Sequence, residues 1–185
     1  LDSIYRIQSY TGVDQHADFL KKAKQNYTEA RCQFIAGDMS KMNLEAHDVV
    51  IASGSLNYIS RDSDYLTNMI TRMFGLANQT VIFNLLNSSQ YPSRNTLMSY
   101  HPQGVYRFCK TLCDDVALIE GYAEGDFTIV MNKAVSGAWC RFYLNTNTDV
   151  VNSKKPQASK GMRLLNSVGK PWSFYLLNGW FSMSP

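Results

Sequence analysis

The apolar positions of this chain change period repeatedly along its first 133 residues. Residues 7–13 form a short run that ends at a carboxylate, Asp14. At 15–27 the period changes: Phe19, Leu20, Ala23 and Tyr27 share one face, and Lys21, Lys22, Lys24 and Gln25 cover the other. A strand followed by an amphipathic helix is predicted. "ARCQFIAGD" (30–38) predicts a second short strand, stopping at another carboxylate, Asp38. "HDVVIASGS" (47–55) predicts a third, and its continuous apolar run suits a strand buried on both faces of a parallel sheet. Ser60 predicts an N-cap for a helix over 61–76, whose stripe is Tyr65, Leu66, Met69, Ile70 and Met73. "QTVIFNLLN" (79–87) predicts a fourth strand; a polar loop and a helix near 102–113 follow. Residues 115–133 predict two strands joined at Glu124-Gly125-Asp126, a hairpin turn signal. Alternating helices and apolar strands define an α/β fold with a mostly parallel sheet, here with an antiparallel hairpin at its end.

A length of 185 residues fits one ordinary domain, and 45% hydrophobic composition supplies a real core. Charge shows a change of character at residue 133. Residues 134–185 hold six Lys/Arg, a single acid (Asp149) and all three tryptophans, whereas the preceding part has 12 basic and 14 acidic residues. The reading is a domain over 1–133 and an unassigned C-terminal extension over 134–185, native or foreign to the domain. Within it, 145–161 is polar and reads as a loop or linker. The basic charges of the extension are interrupted rather than clustered, so no nucleic-acid partner is expected. The N-terminus shows no basic flank and apolar run of a signal peptide, and "WSFYLLNGWFSM" is too short to span a bilayer, so no membrane partner is expected. Cys32, Cys109, Cys113 and Cys140 show no disulfide rhythm, which favours reduced thiols and a cytoplasmic location. His16, His47 and His101 lack metal-site spacing.

The candidate chemistry lies where strands end. Ligands of open α/β sheets bind beyond the carboxyl ends of the strands. Three successive strands here end in Asp14, in Gly37-Asp38, and in Ser53-Gly54-Ser55. A carboxylate at such an end can accept two hydrogen bonds from a ribose diol, and a glycine lets backbone approach a ligand closely. Each acid also has a plainer reading. Asp14 before "QHADFL" is a natural helix cap, and Asp38 before "MSKMNLE" a natural turn residue.

The ordered series "YTGVD" with its helix, "FIAGDMS", "HDVVIASGSLNY", "TVIFNLLNSS" and "GDFTIVMNK" resembles the class I S-adenosylmethionine-dependent methyltransferases, small-molecule branch, over roughly residues 5–133. The resemblance implies a Rossmann-like three-layer fold and methyl transfer from S-adenosylmethionine to a small-molecule acceptor. It implies that Asp14, with Gln15 beside it, holds the ribose and that Asp38 and Met39 hold the adenine. Ser53, Gly54 and Ser55 then line the methionine side, and Asn57, Tyr58 and Tyr91 lie toward the acceptor. His101 and Tyr100 are the candidates for a base, should one be needed. The family also begins with a strand and a glycine-rich loop that this chain lacks. Its first strand corresponds to the family's second, so the missing one is the central strand, as in an N-terminally truncated domain. One option is that "WSFYLLNGWF" fills the vacant central position, although it carries no glycine-rich loop.

Two other classes compete. Tyr106 and Lys110 at i,i+4, with Ser88 and Ser89 upstream, resemble the catalytic set of NAD(P)-dependent short-chain dehydrogenases; as a plain alternative, they are neighbours on an ordinary helix. A non-catalytic Rossmann-like module is the third reading.

Overall fold

A computed structural model describes residues 7–94, 96–134 and 172–178. Strand β1 (Ile7–Asp14) leads into helix α1 (Ala17–Asn26), then β2 (Cys32–Ala36) and β3 (His47–Ser53). A single 3₁₀ turn, Ser55–Asn57, precedes helix α2 (Tyr65–Leu76) and strand β4 (Ala77–Leu86). Helix α3 (Pro102–Leu112) is followed by β5 (Asp115–Glu120), β6 (Asp126–Asn132) and β7 (Trp172–Asn178). The helices are shorter than their apolar periodicity predicts, and the largest difference is at α2. It is flanked by Asp64, not Ser60, because the intervening chain closes its own turns. The Asp62 amide donates to Ser60 Oγ at 3.1 Å, and the Asp64 amide to Asp62 Oδ1 at 2.9 Å.

The strands form one sheet in the order β2-β1-β7-β3-β4-β6-β5. The five strands from β2 to β4 pair in parallel, and β6 runs antiparallel to both β4 and β5. The predicted hairpin is therefore β5–β6, and it forms one edge. The central position between β1 and β3 is taken by β7, from the far end of the chain. It lies parallel to both, with Gly12 and Ile51 flanking Leu176 in register. The option of a C-terminal segment in the vacant central place is what the structure shows. The physical reason is that an empty slot would leave two buried strand edges with unpaired amides and carbonyls, each costly away from water.

Alternation along the strands divides the core. Val50 and Ala52 of β3, with Val81, Phe83 and Leu85 of β4, pack with Met69, Ile70 and Met73 of α2 and with Val105 and Cys109 of α3. Val49, Ile82 and Val130 face the other side. There α1 packs over β1 and β2, where Gly12 makes room: a Cβ at this position would stand 2.9 Å from the Phe34 ring. The result is a three-layer α/β arrangement, with α2 and α3 on one face of the sheet and α1 on the other. The polar 145–161 segment lies outside the described residues.

Candidate functional site

The carboxyl ends of β1, β2 and β3 open on one side of the sheet. A cavity of about 300 Å³ lies against them. Of the residues singled out from sequence, Asp14, Gln15, Asp38, Met39, Ser55 and Tyr58 line it. The arrangement follows from local backbone chemistry. Asp14 ends β1, and its Oδ1 accepts from the His16 amide at 2.7 Å, an Asx turn that starts the chain toward α1. His16, not Asp14, is the flanking residue of the helix, and its side chain makes no cap. The other oxygen, Asp14 Oδ2, is buried and has no hydrogen-bond partner among the described residues. Burying half a carboxylate without a donor is costly, and such an orphan marks a place where a donor is expected to arrive.

The β2–β3 connection is tied to the same spot, since the Gly37 amide donates to the Asp14 carbonyl at 3.0 Å. Asp38 then builds a tight turn. Its Oδ1 accepts from the Ser40 amide at 2.9 Å and the Ser40 hydroxyl at 2.7 Å, and its Oδ2 stands 3.5 Å from Lys41 Nζ. The Ser40 hydroxyl, seconded by the Ser40 amide and Lys41, holds the Asp38 carboxyl below its usual range despite a smaller opposing effect of burial. Asp38 is therefore an anion at neutral pH that organises its own loop. Met39 follows with its side chain in the core, only 5% exposed, while it also forms part of the cavity wall.

On the β3 side, Gly54 takes a left-handed conformation (φ 68°) that a side chain would disfavour. Its amide donates to Asn84 Oδ1 at 2.8 Å, and Asn84 Nδ2 donates in turn to Asp126 at 3.2 Å. This chain of contacts across β3, β4 and β6 fixes the turn that presents Ser55. The Ser55 hydroxyl is a second buried polar atom without a partner among the described residues. Ser53 and Gly54 themselves shape the turn without lining the cavity.

Other sequence candidates fall outside the cavity. Asn57 is buried and structural: its Oδ1 accepts from the Leu86 amide at 3.0 Å, and its carbonyl from the Met98 amide at 2.6 Å. Tyr91 packs beside Gly125 with Arg94 over its ring. The Tyr100 hydroxyl donates to the Leu56 carbonyl at 3.4 Å, and burial first, then the charge of Tyr65, raises its pKa. His101 is exposed at the start of α3. Tyr106 packs against the core and Lys110 Nζ donates to the Asp114 carbonyl, so this pair lies on α3 as ordinary helix neighbours and does not line the cavity.

The wall also includes residues that sequence reading assigned elsewhere. Tyr65 and Met69 were legible only as part of the apolar stripe of α2, yet both line the cavity. Burial, and then the nearby Asp38 charge, raise the Tyr65 pKa, so it stands there as a neutral phenol. Its place at the first turn of a helix that follows a strand-end loop was the available signal.

Residues 2–73 match the family model of a methyltransferase domain. No curated protein matches the chain. Among solved structures, the chain is similar to magnesium protoporphyrin IX methyltransferase from Synechocystis PCC 6803 with bound SAH, at 12% identity and a TM-score of 0.52, over 67% of this chain and 64% of that one. It is similar to the N-methyltransferase NodS from Bradyrhizobium japonicum WM9 in complex with S-adenosyl-l-homocysteine, at 13% identity and a TM-score of 0.53, over 67% and 66%. A third is an S-adenosylmethionine-dependent methyltransferase from Clostridium acetobutylicum ATCC 824, at 12% identity, over 66% and 74% with a TM-score of 0.52. The fold is Rossmann-like, the one these methyltransferase structures share, as the ordered motifs implied. The chain spans just under two thirds of the length of the first two of these relatives.

Proposed function

We propose that this chain transfers a methyl group from S-adenosylmethionine to a small-molecule acceptor. The observation that carries the reading is Asp14 Oδ2, a buried carboxylate oxygen without a described partner, at the carboxyl end of a parallel strand and on the wall of a 300 Å³ cavity. Ribose hydroxyls are donors of the kind that atom lacks. Asp14 and Gln15 would hold the ribose, the Asp38–Met39 turn the adenine, and Ser55, presented by the Ser53-Gly54 turn, the methionine side through its hydroxyl. Tyr58, on the cavity wall, would face the acceptor, whereas Asn57 and Tyr91 do not line the cavity. The similar structures that hold SAH, and the methyltransferase-domain match, support the same cofactor.

When bound, the cofactor supplies an activated methyl on a sulfonium, so the protein's task is alignment and exclusion of water. Strong acid–base machinery is not demanded. Burial raises the pKa of the Tyr100 phenol, whose hydroxyl is engaged with a carbonyl, and His101 is exposed; these two remain the candidates for a base should the acceptor atom need one. A cytoplasmic location is supported by the spacing of the four cysteines, which shows no disulfide rhythm. No helix among the described residues is long and apolar enough to cross a membrane.

Calorimetric titration with S-adenosylhomocysteine tests the reading. Binding is expected, and Asp14→Ala should weaken it by at least about tenfold, the worth of a hydrogen bond to a charged group. Equal affinity in Asp14→Ala, or binding of NADP(H) in place of S-adenosylhomocysteine, overturns it.

A further inference from the structure

The adenine wall of the cavity belongs to a loop with no helix or strand of its own, residues 37–46. Something must hold it, because a ten-residue connection of this kind loses ligand geometry as soon as it moves. Its first turn is closed locally, with the Lys41 and Met42 amides donating to the Asp38 carbonyl at 3.0 and 3.1 Å. That leaves the carbonyls of Met39 and Met42 to be satisfied from outside. Both are met by one side chain. Arg72, on α2, donates through Nε to the Met39 carbonyl and through a terminal guanidinium nitrogen to the Met42 carbonyl.

The two contacts span 33 and 30 residues in sequence and are part-buried. They use the planar fork of arginine, whose donors are fixed relative to one another; lysine, a point charge on a flexible stem, cannot match both carbonyls at once. The loop is also wound tightly here, since a Cβ on Gly37 would collide with the Met42 thioether. Winding around Met42 and the guanidinium fork together fix the Met39 backbone beside Asp38. Met69, on the same helix as Arg72, lines the cavity, so α2 carries both a wall residue and the strut behind the Asp38–Met39 part of the wall.

From this geometry we propose that Arg72 is a positioning residue for the adenine-facing loop, acting on ligand affinity through Met39 rather than by touching the ligand. The proposal rests on the cofactor assignment above and names a residue that assignment does not use. The test is titration of the full chain with S-adenosylhomocysteine, for the unaltered protein, Arg72→Gln, Arg72→Lys, and each combined with Asp38→Ala or Asp14→Ala. Arg72→Gln should weaken binding about tenfold, and Arg72→Lys should recover part of the loss. The losses of Arg72→Gln and Asp38→Ala should be non-additive, since both act on one loop, while those of Arg72→Gln and Asp14→Ala should add more nearly. Unaltered affinity in Arg72→Gln, or a loss that couples equally to Asp14 and Asp38, overturns the positioning role. Should Arg72→Gln fail to fold, Arg72→Lys alone decides: full affinity refutes the fork. Failure of the unaltered protein to bind would instead refute the cofactor assignment, so the two failures are distinguishable.

Discussion

The strand β7 supports a sharp prediction, because it joins the two halves of the sheet, β2-β1 and β3-β4-β6-β5. It pairs on both sides, through Tyr10–Val13 with β1 and through Val49–Ser53 with β3. Leu176 stands near its middle, opposite Gly12 on one side and Ile51 on the other. Leu176→Pro removes one ladder amide and forces a pyrrolidine ring into a central strand, where proline is essentially excluded. The lost bond is worth about 1 kcal/mol net, the carbonyl it orphans costs about 1–3 kcal/mol, and the steric term adds to both. A loss of about 3–5 kcal/mol is expected, a large part of the roughly 5–15 kcal/mol that holds a typical domain together. Urea denaturation followed by far-UV circular dichroism measures it, and hydrogen exchange locates it: β1 and β3 amides should lose protection more than those of the β5–β6 hairpin. A change under about 0.5 kcal/mol, the range of ordinary surface substitutions, would refute the central placement of β7.

Two further outcomes follow from the core and its ionisable groups. Phe83→Ala should destabilise by about 3–5 kcal/mol in the same urea assay, since Phe83 is 1% exposed among α2 and α3 side chains; a cost below about 1 kcal/mol would contradict that packing. Stability should fall on the alkaline side of pH 9: burial pushes the Cys109 thiol from 9.0 up to about 12, so the folded state keeps a proton the unfolded chain gives up. The contribution is complete below pH 9, is reduced by about 1.4 kcal/mol at pH 10, and is gone above 12. Burial raises Cys113, Tyr65, Tyr100 and Tyr122 in the same direction, while desolvated Lys133 opposes them. Melting temperatures of the unaltered protein and Cys109→Ala between pH 8 and 10.5 check it, with a smaller alkaline loss expected in the variant.

What the sequence revealed and what it hid have one physical cause. Elements up to residue 133 were legible because each writes its period locally: Val49 to Ala52 is apolar at every position, and the stripe from Tyr65 to Met73 repeats at helical spacing. Asp14 and Asp38 were legible as strand-end acids, and both line the cavity, because a carboxylate closing an apolar strand is locally out of place. The split between their two oxygens was not legible, since it depends on where the His16 and Ser40 amides turn. Arg72 was invisible, because nothing in "TRMFG" says that loop carbonyls 30 residues upstream await it. The position of β7 was legible only as one option: "WSFYLL" reads as apolar, but which slot it enters is a matter of which edges stand unpaired.

That slot also sets the width of the site. Neighbouring strands are about 4.8 Å apart, so β1 and β3 stand about 9.6 Å apart with β7 between them. Val13 is in register with Leu177, and Ser53 with Asn178. Asn178 thus closes the central strand at the level where Asp14 and the Ser53-Gly54-Ser55 turn face the cavity. Withdrawing β7 would either leave two buried edges bare or let β1 and β3 close on each other, bringing Asp14 about one strand spacing nearer to Ser55. The cavity, lined by Asp14 and by Ser55, cannot keep its shape through that change. Leu176→Pro should therefore cost S-adenosylhomocysteine affinity even under conditions where the protein remains folded. Retention of full affinity alongside a loss of stability would show that β7 holds the sheet without setting the site.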